Sequence, residues 1–286
     1  MKRKYRLGYE FFEQPALFKN TLLIQIGRRQ CLPNEIIEKH AHVDWYELTL
    51  AIEGSGTVIT NDEAVDISKG DIYLSFPGDF HEISSSSKAP LEYDFISFNS
   101  KNPTIKKELK RIVSDIYFCS QRIFRDDSVN ASVALAISEI SSKKQYHEEV
   151  ISSILEQVIY LTIRNFDEKE KDYKKISINE ADKLCFQIMH YINTHITSIK
   201  NLSALSGVFC FNYSYLSKIF KLTTGRTISD YYQAKRLDMA QLLIAEHTMK
   251  ISEIAEELNY SSLYSFSKAF KARHGISPKH YSDSLK

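Results

Sequence analysis

Near its C-terminus the 286-residue chain carries the same pattern twice. The run Asn212-Tyr-Ser-Tyr-Leu-Ser-Lys-Ile-Phe-Lys221 returns as Ser262-Leu-Tyr-Ser-Phe-Ser-Lys-Ala-Phe-Lys271. Leu216, Ser217, Lys218, Phe220 and Lys221 are answered 50 residues later by Phe266, Ser267, Lys268, Phe270 and Lys271. Upstream, Leu202-x-x-Leu205-Ser206 matches Ile251-x-x-Ile254-Ala255 at an offset of 49, so the second copy holds one extra residue in its turn. Downstream, Gly225 and Tyr231 match Gly275 and Tyr281. Each copy reads as a short apolar helix, a turn, and a second helix whose buried side repeats at i, i+3, i+4: Leu216/Ile219/Phe220, then Phe266/Ala269/Phe270. Two such units predict two helix-turn-helix motifs in an all-helical domain.

The second helix of each unit leaves Tyr213, Ser214, Ser217, Lys218 and Lys221, or Leu263, Tyr264, Ser267, Lys268 and Lys271, for solvent. Small hydroxyls let a helix sit close in the DNA major groove and bond either kind of base edge, while lysines reach guanine edges or phosphates. A polar helix face needs no ligand; a matched pair of such faces points to double-stranded DNA. Between the copies, Ile228 to His247 has neither Gly nor Pro. A helix there is about 28 Å long at 1.5 Å per residue. Such a strut can hold two recognition helices roughly one DNA turn, about 34 Å, apart.

The ordered set of Leu202-x-x-Leu205-Ser206, the two repeated runs, Lys235-Arg236-Leu237-x-x-Ala240-x-x-Leu243-Ile244 and Gly275-x-Ser277-Pro278-x-x-Tyr281 resembles the AraC/XylS family of bacterial transcription regulators. The resemblance implies an effector-responsive regulator, with an activator role, RNA polymerase as partner and homodimers as the working form. Two positions depart from the pattern: Asn259-Tyr260 stands where Gly-Phe is usual, and Ser282 follows Tyr281 where Arg is usual.

Charge is divided in the same sense. From Glu180 onward 13 Lys/Arg face 9 Asp/Glu, whereas the preceding residues carry 24 against 27. The basic part is the part with the repeat, as phosphate contact requires. Cys31, Cys119, Cys185 and Cys210 are scattered without a CxxC pair, which suits reduced thiols in a cytosol better than disulfides or a zinc site. No apolar run of signal-peptide or membrane-span length is present, so a cytoplasmic protein with no membrane partner is expected.

Up to about Phe98 the chain reads as short strands rich in β-branched and aromatic residues: 22–26, 46–52, 56–60, 64–67, 71–76 and 93–98. Many short strands with turn signals predict a sandwich or barrel. Within them, His40-Ala-His42, Glu47 and Gly54, then Gly70-Asp71, Pro77-Gly78 and His81, resemble the two cupin motifs, with Asn34 and Ser85 as departures. In metal-binding cupins the matching positions hold a divalent ion, and three imidazoles with one carboxylate suit zinc, iron or manganese. In sensor domains of the AraC type, similar positions line an effector pocket. The expectation is that His40, His42, Glu47 and His81, with Trp45 and Tyr93 as flat apolar faces, bind a small effector, a carbohydrate being the first candidate. Metal on His40, His42, Glu47 and His81 is the alternative, and no cofactor is expected. An enzyme reading lacks a further acid, base or nucleophile.

After Pro103 the period turns helical, with stripes through Ile105/Leu109/Ile112, Val133/Ala136/Ile137/Ile140 and Ile151/Ile154/Leu155/Val158. These cover the strands and offer a dimer interface. The mixed-charge run Asp167–Lys175 reads as a linker. The expected organisation is α+β and multidomain: a cupin-like barrel at 1–100, accessory helices at 101–166, a linker at 167–179, and a DNA-binding domain at 180–286.

Overall fold

The computed structural model describes residues 5–11, 14–42, 44–142, 144–173, 179–245 and 247–285, with the side chains of 5–7, 42 and 168–173 outside the description. The chain divides into two compact units, 1–177 and 178–286.

The first unit is built on β1 (Tyr5–Glu10), β2 (Ala16–Phe18), β3 (Thr21–Gln30), β4 (Ile36–His42), β5 (Tyr46–Glu53), β6 (Ser55–Thr60), β7 (Glu63–Ser68), β8 (Ile72–Ser75), β9 (Asp79–Ser85), β10 (Glu92–Ser100) and the short β11 (Ile123–Phe124). These form a seven-stranded antiparallel sheet, β1-β3-β10-β5-β8-β11 with β2 beside β3, and a four-stranded sheet, β4-β9-β6-β7. No ladder joins the two among the described residues, so the expected barrel is an open sandwich.

Register explains the two faces of the larger sheet. Ile26, Ile96, Leu48 and Leu74 lie side by side across four strands, and one residue along, Gln25, Ser97, Glu47 and Ser75 do the same. Because successive side chains point to opposite faces, the first rung faces outward and the second faces the smaller sheet.

The apolar face is covered by α1 (Pro103–Asp115), α2 (Asp127–Ser142) and α3 (His147–Tyr173), whose Ile105, Leu109, Val133, Ile137, Leu155 and Val158 share one core with it. Each fully buried Leu or Ile there contributes about 1.5–3 kcal/mol. Asn102 caps α1 by accepting from the Thr104 amide at 2.9 Å, and Pro103 occupies the first helical turn, where its missing N–H costs nothing. A second core, with Val58, Ile67, Tyr73, Ile83, Leu91 and Phe95, fills the space between the sheets.

The charged run expected as a linker starts instead as the last turns of α3, which runs to Tyr173. Phe166 and Ile163 keep that helix in the core, and Glu168, Lys169, Glu170 and Lys171 are good helix formers, with no Gly or Pro in the run. Residues 174–178, the remainder of that expected linker apart from Asn179, fall outside the description.

The second unit is all-helical: α4 (Glu180–Thr194), a 3-10 turn at Leu202–Ala204 leading into α5 (Leu205–Phe209), α6 (Tyr213–Thr224), α7 (Ile228–Ala245), α8 (Ile251–Glu257), α9 (Leu263–His274) and α10 (Pro278–Ser284). Among the described residues no helix is long and apolar enough to cross a membrane.

Candidate functional site

The polar rung of the larger sheet is buried, Gln25 at 8 %, Glu47 at 3 % and Ser75 and Ser97 at 0 % exposure. Burying four polar side chains in one line is costly unless they bond one another. Gln25 Nε2 donates to Glu47 Oε2 at 2.6 Å and to Ser97 Oγ at 2.9 Å, and Ser97 Oγ donates to the same Oε2 at 2.6 Å. The other oxygen, Glu47 Oε1, lies 3.4 Å from His81 Nε2. From the smaller sheet, His40 and His81 are directly paired across β4 and β9, their rings edge to face at 4.3 Å.

Around Glu47 opens a cavity of about 70 Å³, partly open to solvent and lined by Gln25, Arg29, Ile37, His40, Glu47, Ile83, Tyr93 and Phe95. Its polar atoms have defined roles. Burial, then the neighbouring His81, push His40 down to about 4 although part of the ring still meets solvent, so the imidazole is neutral at pH 7. A neutral ring within 2.9 Å of the Glu38 carbonyl oxygen must carry its proton on Nδ1, which leaves Nε2 as an acceptor. Arg29 Nη2 donates to Glu35 Oε1 at 2.7 Å, while its Nε is buried without a hydrogen-bond partner.

One ligating atom each from His40, Glu47 and His81 come within 4.8 Å of one another. Two imidazole nitrogens, one with its far nitrogen anchored on a carbonyl, and a carboxylate held by Gln25 and Ser97 fit a divalent transition metal, which would act there as a Lewis acid.

The turn before His81 is set by a buried ion pair that sequence reading missed. Asp79 accepts from the Phe76 amide at 2.6 Å, from Asn61 Nδ2 at 2.9 Å and from Arg122 Nη1, and the Arg122 guanidinium lies 4.1 Å from the centre of the Phe76 ring.

Of the expected pocket residues, the structure thus brings together His40, Glu47, His81 and Tyr93. Trp45 stands half-exposed before β5 and does not line the cavity. The His42 backbone pairs with Asp79 at the end of β4, but its side chain lies outside the description. Gln25, Arg29 and Ser97 were not singled out from sequence. The available signal was polar residues at alternate places in otherwise apolar strands, Gln25-x-Gly27-x-Arg29 on β3.

In the second unit the repeat folds as two matched helix-turn-helix units. Asn212 accepts from the Tyr215 amide at 2.8 Å to start α6, and Ser262 accepts from the Ser265 amide at 3.1 Å to start α9. Gly225 and Gly275 end them in the left-handed region, φ +76° and +79°. Leu216 and Phe220, and Phe266 and Phe270, are buried. Ser214, Lys218, Lys221, Leu263, Tyr264, Lys268 and Lys271 are exposed, whereas Tyr213, Ser217 and Ser267 lie half-buried on the flank. Two exposed large hydrophobic side chains on α6, Tyr215 and Leu222, were not singled out. Centring the helical wheel opposite Leu216 and Phe220 would have found both.

The turns themselves hold Cys210 and Asn259 at φ +56° and +55°. Asn tolerates that region better than most residues, and Asn259 Nδ2 donates to the Thr197 carbonyl at 2.6 Å, which accounts for Asn where Gly is usual.

Comparison with known proteins agrees with both units. Residues 23–158 match the AraC-like ligand binding domain and residues 205–284 a helix-turn-helix domain. The probable transcriptional regulator LumQ of Photobacterium leiognathi is 27% identical over 248 residues, covering 84% of this chain and 90% of that one. The HTH-type transcriptional activator RhaR of Mannheimia succiniciproducens is 25% identical over 261 residues, covering 90% and 91%. In fold, the crystal structure of an apo variant of ToxT from Vibrio cholerae superposes with a TM-score of 0.51 at 16% identity, covering 94% of this chain and 98% of that one. The relatives are regulators rather than enzymes.

Proposed function

Because the chain belongs to the AraC/XylS family of effector-responsive, DNA-binding transcription regulators, we propose that the cavity beside Glu47 is the effector site and that it takes one edge of a small neutral polyhydroxy molecule, a carbohydrate being the first candidate. The observation that carries this is the mixed polarity of the lining. Glu47 and the His40 Nε2 accept, and the unpartnered Arg29 Nε donates. Hydroxyl groups do both at once. The Arg29 charge is already paired with Glu35, so it does not reserve the cavity for an anion. Phe95, Ile37 and Ile83 supply the apolar walls.

The test is thermal denaturation of the full chain with neutral sugars and polyols, matched sugar acids, and divalent metals after chelation. A ligand at 100 times its Kd stabilises the native state by about 2.7 kcal/mol. The expected result is a rise with a neutral polyol and no response in His42→Ala with Glu47→Ala, with DNA binding retained. A normal response in that variant, or a rise with acids alone, refutes the reading. The convergence of His40, Glu47 and His81 favours a divalent ion as the second reading. Stoichiometric metal in protein purified without added metal is its signature.

At the DNA, Ser214 and Lys218 on α6 and Tyr264 and Lys268 on α9 read bases in successive major grooves, and Lys221 and Lys271 anchor phosphates. Tyr213, Ser217, Leu263 and Ser267 complete the contact faces. The chain works in the cytoplasm as a homodimer that activates RNA polymerase. Leu135 on α2 and Tyr160 on α3 are exposed apolar side chains available to a second copy.

A further inference from the structure

Three charged side chains, Lys235, Arg236 and Asp238, are buried on the middle of α7, at 1 %, 5 % and 6 % exposure. Two of them reach the second helix-turn-helix unit. Arg236 Nε donates to the Leu258 carbonyl, at the end of α8, at 2.7 Å, and its guanidinium lies 3.8 Å from the centre of the Tyr260 ring and 5.1 Å from that of Tyr232. Asp238 Oδ1 accepts from Arg273 Nε at 2.9 Å and Nη2 at 2.6 Å, in the last turn of the recognition helix α9. The first unit meets the same strut through rings, Phe220 edge-on to Tyr231 at 5.8 Å.

Apolar contact is non-directional, whereas charge-assisted bonds fix angle and distance. Asp238 is buried while the Arg273 side chain keeps 37% of its surface exposed; ion pairs with a buried partner add little net stability over apolar residues of similar volume, and their best-attested use is to select one register. We propose that Arg236 and the Asp238–Arg273 pair are positioning residues that lock the phase of α9 relative to α6, so that the protein discriminates operators by the spacing of their two subsites. This rests on the reading that both recognition helices dock on one operator.

One base pair of added spacing moves the second subsite by about 3.4 Å and turns it by about 35°. Pulling a side chain off its base edge in this way weakens affinity by about fivefold to 100-fold. The experiment takes an operator obtained by selection from random DNA at fixed salt, together with versions carrying one base pair more or less between the subsites. Because Lys235 Nζ also lies 3.9 Å from Asp238 Oδ2, the comparison is of full-length native protein, Lys235→Met with Asp238→Leu and Arg273→Met, and Arg273→Lys, each checked by its thermal midpoint.

Native protein should prefer the selected spacing by at least about fivefold. The apolar triple variant should keep the midpoint while that ratio falls toward one, and Arg273→Lys, which retains the charge, should recover part of it. A folded apolar variant that keeps the native ratio overturns the inference, as does an equal drop in affinity at every spacing. Native protein indifferent to spacing removes the two-helix docking itself, and the inference with it.

Discussion

His40 should make the sensor unit lose stability in mild acid, and His40→Gln should abolish that loss. In the folded chain burial and His81 hold the imidazole near pKa 4, against about 6.5 in an unfolded chain. The sign follows from proton counting. Above pH 7 neither state carries the proton, so His40 contributes nothing. As pH falls below 6.5 the unfolded chain takes up a proton that the folded chain refuses, and stability drops until pH passes 4. Between pH 7.5 and pH 5 the shift amounts to about 2 kcal/mol, and solvent reaching part of the ring brings it to about 1–2 kcal/mol. The assay is urea unfolding followed by fluorescence of Trp45, the one tryptophan of the chain, which sits beside β5 and so reports the sensor unit. Subtracting the His40→Gln curve from the native curve cancels the histidines that do not touch His40, so the difference reports the coupled His40–His81 pair. Parallel curves across this window would falsify the depressed pKa, and with it the fixed Nδ1–H tautomer from which the acceptor role of Nε2 follows.

Arg122→Leu should cost about 3–5 kcal/mol in the same assay, because it strands the buried Asp79 carboxylate; a drop below about 1 kcal/mol would mean the pair does not hold the turn before His81. In a binding-site selection, Lys218→Ala and Lys268→Ala should each relax preference in a different operator segment about 10 base pairs apart. Uniform weakening would make both lysines phosphate anchors. Lys221→Ala or Lys271→Ala should weaken all sequences alike and lower the salt slope by about 0.9 per phosphate released; an unchanged slope excludes the anchoring role. The segment from Glu180 to Lys286 should fold alone and bind the selected operator more weakly than the full chain, and a circular dichroism spectrum without helix would refute its independence.

The helix-turn-helix units were legible in the order of residues because their determinants are local. Apolar residues at i, i+3, i+4, a capping Asn212 or Ser262, and a closing Gly225 or Gly275 each act within one or two turns of backbone, and repetition 50 residues apart made the pattern unmistakable. The sensor was legible only in part. His40, Glu47 and His81 were visible through their motif spacing, but their companions depend on strand pairing between residues far apart in sequence. Gln25, Glu47, Ser75 and Ser97 form one rung only because β3, β10, β5 and β8 are paired in that register, and a one-residue slip in any of them would turn its member to the opposite face. The same holds for Arg122 reaching Asp79 across 43 positions, and for Asp238 reaching Arg273 across 35. Their charges could be read from the chain. That Arg122, Asp79 and Asp238 are buried, and each paired, was decided only when tertiary packing removed water from around them.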